Sequence, residues 1–226
     1  MTEKISFVTQ FISNTQVIPL ISNKDFEKLK HLCKCIINSG CKIIEFGIRY
    51  ENSIENYSKL QKFIKSEYDG VIFGAGSVSD LEVAKKIIDY GTDFIIGPGY
   101  DEFIKIECEK SKKLYIPGCS TATECINAKN SGIKLVKIFP ANHLGGISFV
   151  KALKSAMPWL KFIPAGGIAP NPREVNLWLK AGATAVTLGS VLFREDLVRE
   201  SNFIQIENTL SDIIQNKNKD QLLFKE

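Results

Sequence analysis

Four glycines, Gly40, Gly91, Gly132 and Gly182, stand at the same point of a recurring pattern: each closes a stretch of helical apolar spacing and opens a short apolar run. A glycine one residue past a helix takes the left-handed conformation that other residues resist. The apolar runs fall at 15–22, 41–48, 70–76, 92–99, 114–120, 133–142, 161–168 and 183–190. Each is too short for a helix and reads as a buried strand. Between them the spacing predicts helices, among them one opening at Asp25 with Phe26, Leu29, Leu32, Cys33, Ile36 and Ile37 on one face. Further helices are expected over 53–67, 80–90, 101–111 and 146–156. Ser79 with Glu82, and Thr121 with Glu124, have the spacing of capping boxes, and Asn171-Pro172 followed by Glu174 opens another helix. A helix over 3–13 precedes the repeats, a helix over 201–213 follows them, and a polar tail, 214–226, is expected to fray. Eight apolar strands alternating with helices imply a parallel sheet covered on both faces, and the length favours closure into a (β/α)8 barrel with a short N-terminal helix. An open doubly wound sheet is the competing arrangement, but no G-x-G-x-x-G follows the first strand. No linker interrupts residues 1–226, so one domain is expected.

Composition narrows the function classes. The net charge of +4 is spread along the chain with no basic block, which argues against nucleic acid as the main partner and suits a small anionic substrate. No apolar run reaches membrane-spanning length and the N-terminus is too polar for a secretory signal, so a cytoplasmic protein is expected. Six cysteines in such a chain are expected to be reduced, apolar fillers. With only His31 and His143 as histidines, and no second cysteine pair at zinc spacing beside Cys33 and Cys35, no metal site or cofactor is expected.

One residue breaks the apolar strands. Lys137 lies inside "IKLVKIFPAN", where a buried ammonium must be paired, reach water or give up its proton. Strand alternation puts Leu135, Lys137 and Phe139 on one face, and Ile43, Glu45, Gly47 and Arg49 on one face of the second strand. Glu45 then sits mid-barrel with Arg49 roughly 13 Å nearer the mouth. In parallel barrels the strand C-terminal ends form the active face. A lysine, a carboxylate and a guanidinium in one cavity fit amine catalysis: the amine attacks a ketone, the carboxylate moves protons, and the arginine holds a substrate carboxylate. A structural ion pair between Lys137 and Glu45 is the alternative. Ser77 ends the third strand, and Gly166, Gly167, Gly189 and Ser190 end the last two, where barrels frequently bind phosphate. His143 is expected in a solvent-facing loop.

Taken in order, "IIEFGIR", "GAGSV", "IGPG", "IPGCST", "VKIFPA", "PAGGI" and "LGS" resemble the 2-keto-3-deoxy-6-phosphogluconate aldolases, also called 4-hydroxy-2-oxoglutarate aldolases, from about residue 12 to 194. The resemblance implies a cofactor-free, Schiff-base aldolase on a (β/α)8 barrel, assembled as a homotrimer. Its substrates would be a 2-keto-3-deoxy sugar acid and pyruvate. Lys137 would carry the Schiff base and Glu45 would be the general acid/base. Arg49 and Ser77 would bind the pyruvate carboxylate, with Ser77 in place of a common threonine. Phe139 would pack on the pyruvyl group, while Gly166, Gly167, Gly189 and Ser190 would hold the phosphate. Pro98 and Gly99, in "IGPG", would add substrate contacts. Ala165 departs from the family, where threonine is frequent and is linked to stereochemical preference at the new carbon. That leaves the gluconate epimer, the galactonate epimer and unphosphorylated 4-hydroxy-2-oxoglutarate as candidate substrates. A phosphate-binding epimerase or isomerase, or a non-catalytic sugar-acid-binding barrel, are the alternatives outside the family.

Overall fold

In the computed structural model, which describes residues 2–217, helices alternate with parallel strands over most of that length. Helix α1 (Glu3–Thr15) precedes β1 (Val17–Ile21), and α2 (Phe26–Asn38) leads to β2 (Ile43–Gly47). Then come α3 (Ser53–Glu67), β3 (Ile72–Gly76), α4 (Leu81–Asp89), β4 (Phe94–Ile96), α5 (Glu102–Lys110) and β5 (Leu114–Ile116). The chain continues with β6 (Gly118–Cys119), α6 (Ala122–Asn130), β7 (Val136–Ile138), α7 (Gly146–Ala156) and β8 (Phe162–Pro164). It ends with α8 (Pro172–Lys180), β9 (Val186–Leu188), α9 (Glu195–Arg199) and α10 (Phe203–Asn216).

The four glycines do what their positions require. Their φ angles are +87°, +89°, +86° and +98° at Gly40, Gly91, Gly132 and Gly182. At each, the glycine N–H donates three residues back and the next N–H five residues back, as Gly40 to Ile37 and Cys41 to Ile36. This pairing uses carbonyls that the helix end leaves free and turns the chain into the following strand.

Every strand residue is buried, as a parallel sheet covered on both faces requires. The strands form a six-stranded sheet in the order β5-β4-β3-β2-β1-β9 and a three-stranded sheet in the order β6-β7-β8. Pro117 divides the expected fifth strand into β5 and β6, because it has no N–H to give to the ladder. Its carbonyl still accepts from Lys137 N at 2.8 Å. On the other side the sheets meet through one bridge, Ala165 with Thr187.

Several local expectations change. Asp80, not Ser79, caps α4, its carboxylate accepting from Val83 N at 2.9 Å. Thr121 and Glu124 do form a capping box at α6. Asn171 caps α8, where Glu174 also accepts from the Nε1 of buried Trp178 at 2.9 Å. Helix α10 runs on to Asn216, into the segment expected to fray; residues 218–226 of that segment lie outside the described residues. The short helix α9 carries no apolar periodicity long enough to have been anticipated.

All six cysteines are free and buried. Burial pushes the Cys35 and Cys41 thiols up to about 11 and Cys108 to about 12, so they remain protonated fillers near neutral pH. Among the described residues no helix is long and apolar enough to cross a membrane.

The capping box gives a direct check. Thr121→Ala removes a hydroxyl that accepts from Glu124 N and is expected to cost about 1 kcal/mol. Calorimetry should record a melting temperature about 2–4 °C lower.

Candidate active site

Lys137 occupies the middle of β7, paired with Gly118 on β6 and Ile163 on β8. Glu45 occupies the middle of β2, paired with Leu20 on β1 and Gly74 on β3. These strands lie in different sheets, yet Lys137 Nζ donates to Glu45 Oε1 at 3.2 Å. The two side chains therefore meet across the interior rather than along one ladder. Glu45 is fully buried and Lys137 is 6% exposed. The second carboxylate oxygen, Oε2, is buried with no hydrogen-bond partner among the described residues.

Space for that carboxylate comes from Gly76. A Cβ there would stand 2.0 Å from Glu45 Oε1. Gly74, two residues earlier on the same face, similarly leaves room for the Phe94 ring, which a Cβ would meet at 2.3 Å. Thus the small residues of "GAG" allow β3 to pass beneath a glutamate and a phenylalanine that point inward from its neighbours.

Above the pair opens a cavity of about 350 Å³. Lys137 reaches its floor. Arg49, Ser77, Phe139, Ala165, Gly166, Gly167, Gly189 and Ser190 line it, together with Leu20, Ile168, Thr187 and Val191. Arg49 Nε donates to Ser77 Oγ at 3.2 Å, which aims the guanidinium across the cavity's edge. Ser77 holds a φ of +60°, uncommon for a residue with a Cβ, and so places its hydroxyl where β3 turns away from the sheet. The Phe139 ring is half-exposed, with its centroid 5.6 Å from Lys137 Nζ. Gly166 and Gly167 have φ of +95° and +78°. Consecutive left-handed residues of this kind shape the backbone for anions.

A second cavity of about 460 Å³ shares Leu20, Arg49 and Ser190 with the first and adds Lys24, Lys28 and Arg199 to its wall. Glu195 lines this second cavity too, so its wall is cationic on balance. His143 is exposed, as a loop histidine should be.

Of the residues that the sequence singles out, Lys137, Arg49, Ser77, Phe139, Ala165, Gly166, Gly167, Gly189 and Ser190 come together around one cavity, and Glu45 is hydrogen-bonded to Lys137. Pro98 and Gly99 do not join them. They are exposed, and the Gly99 carbonyl accepts from the Tyr115 hydroxyl at 3.1 Å. Leu20, Ile168, Thr187 and Val191 were missed, and of these Thr187 is the polar one. Alternation could have found it, since Ala183, Ala185, Thr187 and Gly189 share a face of "ATAVTLGS". Among the described residues no group of three or more His, Cys, Asp or Glu side chains is placed to hold a metal ion.

A buried amine hydrogen-bonded to a buried carboxylate, at the floor of a cavity rimmed by a guanidinium and glycine turns, defines a site for chemistry on a small anionic carbonyl compound. The comparisons with known proteins agree: residues 8–209 match the model of the KDPG and KHG aldolase family, and the chain belongs to that family. A Treponema pallidum protein named 2-dehydro-3-deoxy-phosphogluconate aldolase is 30% identical over 164 residues, 73% of this chain and 76% of the relative. An Escherichia coli protein named KHG/KDPG aldolase is 30% identical over 166 residues, again 73% and 76% of the two chains. Among solved structures, the KDPG aldolase of Legionella pneumophila, with pyruvate captured as a covalent carbinolamine intermediate, superposes with a TM-score of 0.82. That match is at 25% identity and covers 94% of this chain and 98% of the other.

The ion pair makes a stability prediction of its own. Lys137→Met or Glu45→Leu alone leaves the other partner buried without its hydrogen bond, at an expected cost of about 3–5 kcal/mol. The double variant is expected to cost less than the sum of the two. Urea unfolding of the four proteins measures the coupling directly.

Proposed function

We propose that the protein is a Schiff-base aldolase that cleaves a 2-keto-3-deoxy sugar acid, of the 2-keto-3-deoxy-6-phosphogluconate type, into pyruvate and an aldehyde such as glyceraldehyde 3-phosphate. The observation that carries this is the 3.2 Å contact between Lys137 Nζ and Glu45 Oε1 at the floor of the cavity. Family membership and the carbinolamine in the Legionella relative support it.

In this mechanism Lys137 passes a proton to Glu45, and the amine nitrogen adds to the C2 carbonyl carbon. Glu45 returns that proton to the C2 oxygen, which leaves as water, giving the protonated imine and restoring the carboxylate. Glu45 then takes the proton of the C4 hydroxyl, the C3–C4 bond breaks, and its electron pair moves to C3 and into the imine, leaving an enamine and a free aldehyde. The same carboxyl returns the proton to C3, and water hydrolyses the imine to pyruvate and the restored amine. One proton is relayed and no external oxidant or reductant is required. A carboxylate with one oxygen on the lysine and the other unpartnered has the acceptor capacity for both tasks.

Arg49 and Ser77 are assigned the pyruvate carboxylate, and Phe139 the pyruvyl face. Gly166, Gly167, Gly189 and Ser190 are assigned the phosphate end, and Lys24, Lys28 and Arg199 line the neighbouring cavity that shares Ser190. We further propose that the two sheets function as one (β/α)8 barrel and one domain. The bridge of Ala165 to Thr187 and the continuity through Pro117 support closure. A homotrimer in the cytoplasm follows from the family resemblance, and a sedimentation experiment tests the trimer.

Pyruvate release is the test. Wild-type protein should release pyruvate from at least one of 2-keto-3-deoxy-6-phosphogluconate, its galactonate epimer and 4-hydroxy-2-oxoglutarate. Lys137→Ala should abolish it, and Glu45→Gln should lower kcat by about 10²–10⁴-fold. Wild-type rates in the Lys137→Ala protein would contradict the mechanism.

A further inference from the structure

Thr187 lies in the middle of β9, with its backbone paired to Ile18 on β1 and bridged to Ala165, just past the end of β8. Its side chain lines the same cavity as Lys137. The residue is 2% exposed, and Oγ1 is buried without a hydrogen-bond partner among the described residues. A buried hydroxyl in that condition has lost its hydration with nothing in return, which proteins seldom tolerate unless another molecule completes the pairing. The neighbour across the bridge, Ala165, is also 2% exposed and brings only a methyl group. Hence, of this bridged pair of residues, only Thr187 brings a polar side-chain atom to the wall.

Depth identifies what that atom would meet. Along the chain from Ala165 the wall rises through half-buried Gly166 to exposed Gly167, and from Thr187 through half-buried Gly189 to exposed Ser190. The glycine turns at the outer level suit an anionic terminus. Thr187 is deeper, at the level of the buried lysine. A group bound there belongs to the reacting carbons and not to the phosphate end. It is uncharged, since a lone hydroxyl among apolar neighbours offers no charge compensation, and it can both donate and accept, as Oγ1 can.

We propose that Thr187 Oγ1 hydrogen-bonds the hydroxyl on the carbon that becomes joined to pyruvate, and so selects between the two epimers at that carbon. This rests on the proposed aldolase function. It assigns the discriminating hydroxyl of this chain to β9, beside the alanine just past the end of β8. A site that pairs with a substrate hydroxyl disfavours the epimer that leaves its own buried group unpaired.

The experiment compares kcat/KM for 2-keto-3-deoxy-6-phosphogluconate and its galactonate epimer in wild type, Thr187→Val and Thr187→Ser. Valine keeps the shape and removes the hydroxyl. It should lower kcat/KM for the favoured epimer by about 10–100-fold and bring the ratio of the two epimers close to one. Serine should keep the ratio within about threefold of wild type. Because valine also removes an unpaired buried group, the free Thr187→Val protein should melt about 2–4 °C higher, which shows that it is folded. An unchanged epimer ratio in folded Thr187→Val would overturn the proposal, as would an equal loss of the ratio in Thr187→Ser. Wild-type protein that releases no pyruvate from either epimer would instead remove the aldolase function on which it depends.

Discussion

An ammonium and a carboxylate 3.2 Å apart in the interior of a parallel-stranded fold constrain what surrounds them. Neither could be buried alone, and together they gain little net stability over apolar residues of the same volume. Their neighbours are arranged to accommodate the pair. Gly76 makes room for the carboxylate. The strands that carry Glu45 and Lys137 come from different sheets, so the contact also spans the two halves of the fold. The side of the pair not covered by protein faces a cavity, where Lys137 is still 6% exposed.

From the floor outward, the cavity grows more polar and more exposed. The buried pair and Thr187 are at the bottom, Phe139 and the Arg49–Ser77 hydrogen bond stand at the side, and glycine turns with Lys24, Lys28 and Arg199 lie outermost. This gradient matches a ligand with a carbonyl at one end and an anion at the other. It separates covalent chemistry, which needs a dry amine, from anion binding, which tolerates water. Under the proposed function the same gradient orders the substrate from pyruvate to phosphate.

Much of this was legible in the residues. The glycines at 40, 91, 132 and 182 marked helix ends because only a left-handed residue completes that turn, and the structure uses all four in the same way. Alternation brought Glu45 and Lys137 to one interior because both stand in the middle of strands. It served less well beyond the strand ends: β2 stops at Gly47 and β7 at Ile138, so Arg49 and Phe139 are positioned by loops and by contacts such as Ser77. The break at Pro117 could have been read from the missing N–H, whereas the cap at Asp80 could not be separated from Ser79 by spacing alone. Thr187 escaped notice because a threonine in an apolar strand is ordinary; only its unpartnered oxygen and its place in the cavity wall distinguish it.

The central claim is that the Lys137 amine forms a covalent bond to a keto acid. Reduction with borohydride in the presence of pyruvate, followed by mass measurement of the intact protein and its peptides, tests it most directly. The account predicts one reduced pyruvyl group per chain, carried by the peptide that contains Lys137, and none in Lys137→Ala. An unmodified wild-type protein, or a pyruvyl group on a different lysine, would contradict it.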